Sequence, residues 1–158
     1  MNIRLRPVTP EDEPFEIALF DITNDEMLTL MGLPPDQRAM ISAFQVRAQR
    51  ASYVNDYPDA NTLIIEAEGL AIGKYIYASR EDEIIFIDIA IVPGYQSRGI
   101  GSLVIGPQLK EIREQGKTGY LRVRKDNHRA IALYERTGFR TFEEEDINYR
   151  MSIKSSID

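Results

Sequence analysis

The spacing of hydrophobic residues predicts one strand and two helices in the first third of the chain. Residues 2–6 alternate between apolar and polar side chains, which is the two-residue period of a half-buried strand. Thr9 offers a helix N-cap and Pro10 a first helical position, so we expect a helix that runs to about residue 20. Residues 36–54 carry apolar side chains at three- and four-residue spacing, which predicts a second helix after an intervening loop.

Three apolar runs follow and are separated by short turns, so they predict an antiparallel meander of strands. The runs span residues 62–67, 71–78 and 84–92, with Gly or charged residues in the turns between them. The third run is apolar at consecutive positions, which is typical of a central strand that is buried on both faces. Asp88 is the charged residue that interrupts this run.

The remaining residues alternate between helical and strand patterns. We expect two helices, over 99–115 and 128–136, and three strands, over 120–124, 140–144 and 147–153. A strand, a helix and a strand in this order predict a right-handed crossover that makes 84–92 and 120–124 parallel neighbours. The other strands are expected to pair antiparallel within one mixed α/β sheet.

Length and composition are those of one ordinary globular domain, and they argue against several kinds of site. The chain has 158 residues without an internal repeat or a Gly-, Ser- or Pro-rich linker, so we expect a single domain over 1–158. It contains no cysteine and one histidine. This composition excludes disulfides and thiolate metal sites and argues against a histidine site, so no metal is expected.

Charge and hydropathy narrow the expected partners. The net charge of -6 argues against a nucleic-acid partner and favours a cationic partner such as an amine. No apolar run is long enough to span a membrane, and the first residues lack the pattern of a secretory signal. We therefore expect a cytoplasmic protein without a membrane partner.

Residues 92–101 connect the third apolar run to the following helix and carry the clearest binding signal. Backbone N–H groups at a helix N-terminus are unpaired and lie at the positive end of the helix dipole, so they attract anions. Gly99 and Gly101 have no side chain to block a diphosphate, and Arg98 adds a positive charge. Two glycines at such a turn can equally serve tight packing alone. Neither the P-loop pattern nor the dinucleotide-binding pattern is present, so we expect a diphosphate ligand other than NAD.

Two segments resemble the signatures of the GCN5-related N-acetyltransferase (GNAT) family. Residues 89–101 read IAIVPGYQSRGIG and match the acetyl-CoA signature, whose core is Gln/Arg-x-x-Gly-x-Gly/Ala. Residues 127–139 read NHRAIALYERTGF and match the second signature, Asn-x-x-Ala-x-x-Leu-Tyr-x-x-x-Gly-Phe. The resemblance implies a single mixed, mostly antiparallel α/β sheet of about seven strands, with helices on both faces and a parallel pair that splays apart at the centre.

The same resemblance implies where acetyl-CoA would lie. Its pantetheine arm is expected in the gap between the splayed strands, and its diphosphate at the N–H groups of residues 98–102. The full set of expected cofactor contacts is Ala90, Ile91, Val92, Gln96, Ser97, Arg98, Gly99, Ile100, Gly101, Ser102, Asn127, Ala130 and Tyr134. Asn127 precedes a predicted helix, so it is also an ordinary N-cap candidate. Residues 84–139 thus form the expected cofactor-binding part.

Two residues are candidates for catalysis. Tyr134 matches the family tyrosine near the cofactor sulfur, where a phenol can protonate a departing thiolate, although a tyrosine at this helical spacing can also be core packing. Asp88 is the first candidate for the general base, because a charge in an apolar strand needs a partner or a purpose and burial would raise its pKa. The alternative is a carboxylate paired with an arginine or with backbone groups. Further candidates for the base are Glu66, Glu68 and Glu83.

The residues that would select the acceptor are less defined by the sequence. Some relatives place a glutamate base where this chain has Arg122. Arg122 and Arg124 share a strand face, and they could bind a substrate carboxylate or pair with surface acids. The N-terminal part, residues 1–60, is expected to form a lid near the thioester with both acidic and apolar groups, compatible with a cationic substrate. These groups are Phe20, Asp21, Asp25, Glu26 and Met31.

Taken with the resemblance, these features predict an N-acetyltransferase that passes the acetyl group of acetyl-CoA directly to a primary amine of a small molecule or peptide. The alternative is a non-catalytic acyl-CoA-binding sensor or regulatory module. The expected partners are acetyl-CoA and the amine. The terminal strand over 147–153 is also expected to offer an edge for a homodimer.

Overall fold

The fold is a mixed sheet with helices on both faces. The computed structural model describes residues 1–155, which form seven strands and five α-helices. The strands are β1 (Ile3–Pro7), β2 (Asn61–Ala67), β3 (Leu70–Ser79), β4 (Glu83–Ile91), β5 (Thr118–Arg124), β6 (Arg140–Glu144) and β7 (Asn148–Lys154). The helices are α1 (Glu13–Thr23), α2 (Asp25–Leu30), α3 (Pro35–Asp56), α4 (Ile100–Gln115) and α5 (His128–Arg136). The strand order is β1-β2-β3-β4-β5-β7-β6, and every neighbouring pair is antiparallel except β4 and β5.

Burial on the inner strands shows why the sheet needs two layers of helices. Ile64 and Ile65 are consecutive on β2 and both are 0% exposed, and consecutive side chains of a strand point to opposite faces. The face of Ile65 belongs to the main core, to which α4 contributes Val104 and Ile112. The other face is covered by α1 and α3. These two helices contact each other, and α1 also contacts β3 and β4. The predicted α/β class is therefore confirmed.

The central strands β4 and β5 pair over only part of their length. Their parallel pairing ends at Phe86 and Leu121, although β4 continues to Ile91 and β5 to Arg124. On the opposite side of β4, the register with β3 skips Ile87, which forms a β-bulge and bends the strand. The two strands therefore diverge and leave a gap at the centre of the sheet, as the resemblance implies.

The N-terminal helices are tied to the sheet by ion pairs. Arg6 of β1 donates two hydrogen bonds of 2.8 Å to Asp12, which precedes α1, and holds the pKa of that carboxyl well below its usual range. Glu16 of α1 lies 3.3 Å from Lys74 of β3. The prediction of a continuous loop before α3 is wrong, because α2 occupies six of those residues, too few for a hydrophobic period to show. No helix within residues 1–155 is long and apolar enough to cross a membrane.

The terminal strand lies inside the sheet and not at its edge. β7 pairs with β5 on one side and with β6 on the other, so both of its hydrogen-bonding edges are occupied. The predicted dimer contact through residues 147–153 is therefore wrong. The last strand in sequence inserts between two earlier strands, and the hydrophobic pattern carries no information on that order. The strands at the ends of the described sheet are β1 and β6.

Candidate active site

A large cleft opens where β4 and β5 diverge. The cleft is lined by β4, the loop that follows it and the start of α4, and by β5 and α5. Residues of α1, α2 and α3 cover its outer end. The cleft has a volume of about 2480 Å³, whereas a pocket for a single small molecule measures about 300–1,000 Å³. It therefore has room for an extended ligand and a second substrate.

The main chain at the end of β4 presents one residue to this gap. The Val92 N–H donates to the Ile72 carbonyl at 2.8 Å, and because main-chain groups alternate along an antiparallel pair, Ala90 also faces β3. Ile91 lies between them and directs its N–H and carbonyl away from β3. The Gln96 side chain donates to the Ile91 carbonyl at 2.8 Å and fixes the following loop to the strand. A main-chain hydrogen bond to a ligand in the gap is therefore expected from the Ile91 N–H.

The glycine loop exposes a series of unpaired N–H groups at the start of α4. Gly99 has φ +78° and precedes the first helical residue, Ile100, and the first backbone bond of the helix runs from the Leu103 N–H to the Gly99 carbonyl at 3.2 Å. Within residues 1–155, the N–H groups of Gly99, Ile100, Gly101 and Ser102 donate to no acceptor in the protein. They lie at the positive end of the helix dipole and line the cleft, which is the arrangement that binds phosphate.

Packing and anion binding are combined in this loop. A Cβ on Gly101 would lie 2.9 Å from the Leu133 side chain of α5, so the glycine allows α4 and α5 to approach closely. A Cβ on Gly99 would meet no atom within 4 Å, but its positive φ disfavours any other residue. The two glycines therefore have different structural roles, and both leave the N–H groups open to the cleft.

The positive charge beside the loop comes from a residue that the sequence reasoning missed. Arg98 packs over the ring of Tyr95, with its guanidinium carbon 5.2 Å from the ring centroid, and is not a lining residue of the cleft. Arg129 of α5 lines the cleft and donates from Nη1 to the Ser97 hydroxyl at 2.7 Å. Arg129 lies two positions after Asn127 in the second signature, but the signature leaves that position undefined.

Tyr134 combines a buried ring with a hydroxyl at the cleft. The residue is 5% exposed, and its ring packs edge-to-face against Phe139 with the centroids 5.5 Å apart. Its hydroxyl forms no hydrogen bond with any residue in 1–155, and Tyr134 lines the cleft. Burial, together with the negative charge of Asp88, raises the pKa of the phenol. The core packing of Tyr134 is thus observed, and its role beside the cofactor sulfur stays a prediction.

Asp88 follows the β-bulge of β4 and faces the same cleft. Burial raises the pKa of its carboxyl, while the nearby charge of Lys74 and the Ile89 N–H oppose that rise. The side chain keeps an edge that water can reach, and within the described residues it forms no ion pair. Lys74 is paired instead with Glu16 of α1. The arginine partner considered for Asp88 is not found in residues 1–155.

Tyr53 of α3 brings a second phenol to Asp88, and the sequence pattern did not single it out. It is half-buried and lines the cleft. Burial and then the charge of Asp88 raise the pKa of its hydroxyl. Asp88 therefore lies within electrostatic range of two phenols, Tyr53 of α3 and Tyr134 of α5.

The sequence model of the acetyltransferase (GNAT) family matches residues 19–139, which is most of the chain. The chain belongs to the GNAT family. Among curated GNAT proteins, it is 41% identical over 69 residues to the [ribosomal protein bS18]-alanine N-acetyltransferase of Haemophilus influenzae, covering 43% of this chain and 47% of that protein. The Escherichia coli K12 enzyme of the same name is 41% identical over 59 residues, covering 37% of this chain and 40% of the enzyme. The chain thus spans less than half of the length of these curated relatives.

Solved structures with the same fold include other acetyltransferases. The PaiA N-acetyltransferase of Thermoplasma acidophilum, in complex with coenzyme A, has a TM-score of 0.71 at 15% identity and covers 98% of this chain and 99% of its own. The E. coli ribosomal-protein-S18-alanine N-acetyltransferase has a TM-score of 0.67 at 20% identity, and the match covers 99% of this chain and 96% of that enzyme. The Vibrio cholerae spermidine N-acetyltransferase, in complex with CoA and spermine, has a TM-score of 0.64 at 22% identity, covering 98% and 96%. At these identities the likeness shows the GNAT fold alone.

Within this GNAT fold, the other candidate carboxylates are already engaged. Glu66 lies 2.9 Å from Arg6, and Glu83 lies 3.1 Å from Arg80. Glu68 accepts a hydrogen bond of 2.7 Å from the Asn2 N–H. Glu66 and Glu68 do not line the cleft, because they lie on and beside β2. Of these four carboxylates, Asp88 is the one that lines the cleft and forms no salt bridge within residues 1–155.

The two strand arginines are paired with neighbouring acids. Arg122 lies 2.8 Å from Glu145, and Arg124 lies 3.1 Å from Asp126. Both arginines are exposed and line the cleft. Of the two interpretations, the structure shows the pairing with surface acids, although exposed pairs of this kind are weak and exchange readily.

The lid has fewer free acids than its sequence indicates. Arg38 of α3 lies 2.8 Å from Asp21 and 2.8 Å from Asp25, so it neutralises both. Phe20, Glu26 and Met31 line the cleft, as do the residues beside them on α1 and α2. The predicted position of the lid at the cleft is thus observed, but its predicted negative charge is reduced.

Asn127 serves as the N-cap of α5. Its side-chain oxygen accepts a hydrogen bond of 3.2 Å from the Ala130 N–H, and both residues line the cleft. The N-cap orients the first turn of α5, which carries Arg129, and Tyr134 lies on the next turn. The expected contact of Asn127 with the cofactor stays a prediction.

Proposed function

We propose that this GNAT protein binds acetyl-CoA in the cleft and transfers its acetyl group directly to a primary amine of a small molecule or peptide. The observation that carries the proposal is that the four unpaired N–H groups at Gly99–Ser102 open into the same cleft as Tyr134 and Asp88. An anion site, a proton donor and a proton acceptor are thus present along one continuous surface.

The chain offers a place for each part of the cofactor. The N–H groups of Gly99–Ser102 suit the diphosphate, and the gap between β4 and β5 suits the pantetheine arm, as an extended chain beside a strand without a partner. The Ile91 N–H is directed to this gap and is our choice as hydrogen-bond donor to the thioester oxygen. The cosubstrate supplies the activated acetyl group as a thioester.

The environments of Asp88 and Tyr134 suit opposite proton-transfer roles. A raised pKa makes the Asp88 carboxylate a stronger base than an ordinary aspartate, so Asp88 accepts the proton that the amine loses as its nitrogen bonds to the carbonyl carbon. A raised pKa keeps Tyr134 protonated at neutral pH, so its phenol can donate to the sulfur as the carbon–sulfur bond breaks. Both groups line the open cleft, so Asp88 releases its proton to solvent and Tyr134 regains one from solvent after the transfer.

The acidic residues of the cleft are compatible with an acceptor that carries a primary amine. One curated relative is named as an N-acetyltransferase of an alanine of ribosomal protein bS18, and one structural neighbour is named as a spermidine N-acetyltransferase. In this chain, Arg38 neutralises Asp21 and Asp25, neither of which lines the cleft, whereas Glu26 and Asp56 line it and form no salt bridge within residues 1–155. A primary amine that reaches Asp88 is the acceptor class we propose.

Turnover with a panel of amines tests the proposal. The protein is incubated with acetyl-CoA and, separately, peptides with N-terminal alanine, amino acids and spermidine, while thiol release and the mass of the amine are recorded. We expect an acetylated amine, with much slower formation by Tyr134→Phe, which keeps the ring packing. Tight acetyl-CoA binding without turnover for any amine would support the acyl-CoA sensor instead. Failure to bind acetyl-CoA would contradict both functions.

A further inference from the structure

Two arginines on the cleft wall have no acidic partner. In this acidic chain, most arginines of the sheet and the lid pair with carboxylates, but Arg129 and Arg136 of α5 form no salt bridge with any residue in 1–155. Both line the cleft and both are exposed. Unpaired guanidinium groups on the wall of a ligand site are available to bind an anion.

Arg129 is held in a defined position beside the glycine loop. Its Nη1 donates to the Ser97 hydroxyl at 2.7 Å, and Ser97 has φ +62°, a conformation that non-glycine residues seldom adopt. A guanidinium has five N–H donors, so most of the donors of Arg129 stay free for a ligand. The hydrogen bond to Ser97 therefore holds the Arg129 side chain in position without neutralising its charge.

Arg136 extends the same positive surface along α5. It lies seven residues after Arg129, which is close to two helical turns, so both side chains project from one face about 10 Å apart along the axis. Ala132 and Leu133, between them, also line the cleft, which shows that this face of the helix is turned toward it. The two arginines and the N–H groups of Gly99–Ser102 thus occupy neighbouring parts of one wall.

We propose that Arg129 and Arg136 form a second phosphate subsite that binds the ribose 3′-phosphate of coenzyme A. The inference rests on the proposed use of acetyl-CoA. The diphosphate is matched by the four N–H groups of the loop, so a separate pair of guanidinium groups is matched to the remaining phosphate of the cofactor. The subsite selects coenzyme A over dephospho-coenzyme A, which carries the same diphosphate but no 3′-phosphate.

Isothermal titration with coenzyme A and with dephospho-coenzyme A tests the subsite. For the native protein we expect coenzyme A to bind more tightly by about tenfold or more, since each charge-assisted hydrogen bond to phosphate is worth about that factor. Arg129→Ala with Arg136→Ala should reduce the preference to near one and leave the affinity for dephospho-coenzyme A almost unchanged. Arg4→Ala is the matched control, because it removes an exposed arginine of β1 that is outside the cleft and should keep the full preference.

The outcomes separate this inference from the proposed function. Equal binding of the two ligands by the native protein, or an unchanged preference in the double variant, would overturn the 3′-phosphate subsite. An equal loss of affinity for both ligands in the double variant would also overturn it, because the arginines would then bind the diphosphate. Failure of the native protein to bind either ligand would contradict the proposed function and the subsite with it. Both arginines are exposed, so we expect the variants to fold, and circular dichroism confirms that each does.

Discussion

Replacing Gly73 by alanine tests the geometry of the central strands most severely. Gly73 of β3 lies opposite Ile91 of β4, the residue that directs its N–H into the gap. A Cβ at Gly73 would lie 2.4 Å from the Ala90 carbonyl oxygen, whereas ordinary contacts begin at 3.4 Å. The obstacle is backbone and cannot rotate away, so β3 and β4 must separate by about 1 Å, the distance by which the contact falls short.

The size of this displacement sets the expected effects. Overpacking that forces a backbone shift costs about 1–3 kcal/mol, so we expect Gly73→Ala to lower the free energy of unfolding by that amount. A misplacement of about 1 Å can reduce an enzymatic rate about 100-fold, and here it would move the Ile91 N–H that we assign to the thioester oxygen. The loss should therefore appear in kcat and not only in stability.

Urea unfolding and thiol release from acetyl-CoA measure the two effects of Gly73→Ala. Gly94→Ala is the matched control, because a Cβ at Gly94 would meet no atom within 4 Å, and its free energy of unfolding should change by less than about 0.5 kcal/mol. Native stability together with native kcat for Gly73→Ala would refute the described packing of β3 against β4 and the role of Ile91 that depends on it.

Three further variants test individual residues. Asp88→Asn should lower kcat by about 10²–10⁴-fold. Burial raises the pKa of Asp88 in the native state above its ordinary value. Urea unfolding of the native protein should therefore show stability lost as the pH rises from that ordinary value through the raised pKa, and the Asn variant should not show this loss. Equal pH profiles for both proteins would contradict the raised pKa. Tyr134→Phe should lower kcat about 10²-fold with little change in the KM for acetyl-CoA, and unchanged kcat would exclude the phenol as proton donor. Asn127→Ala should cost about 1 kcal/mol in urea unfolding through loss of the cap to the Ala130 N–H, and no change would show that the cap is weak.

Most elements of the fold could be predicted because their hydrophobic periods are long. The apolar run at residues 84–92 identified the central strand, and the order of strand, helix and strand identified its parallel neighbour. The position of β7 between β5 and β6 could not be predicted, since strand order depends on which faces and edges remain free after the rest of the sheet has formed. The six-residue helix α2 is likewise set by packing of the lid and not by a local pattern.

The anion-binding part of the site could be predicted from the sequence, because it is formed by backbone groups at the start of a helix. Glycines before a helix predict unpaired N–H groups, and these are present at Gly99–Ser102. The contacts of charged side chains are harder to predict, because a sequence does not show which side chains meet in the folded protein. Arg38 approaches Asp21 and Asp25 from another helix, and Arg129 reaches Ser97 from a distant segment, so neither contact could be predicted from the sequence.

An amide NMR titration with acetyl-CoA tests the central claim most directly. We assign the diphosphate to the N–H groups of Gly99–Ser102 and the thioester oxygen to the Ile91 N–H. Saturating acetyl-CoA should therefore shift these five amide signals more than any others, with the four loop amides moving downfield as they gain acceptors. Saturable binding that leaves the Gly99–Ser102 and Ile91 signals in place, or that shifts only signals outside the cleft, would contradict this assignment.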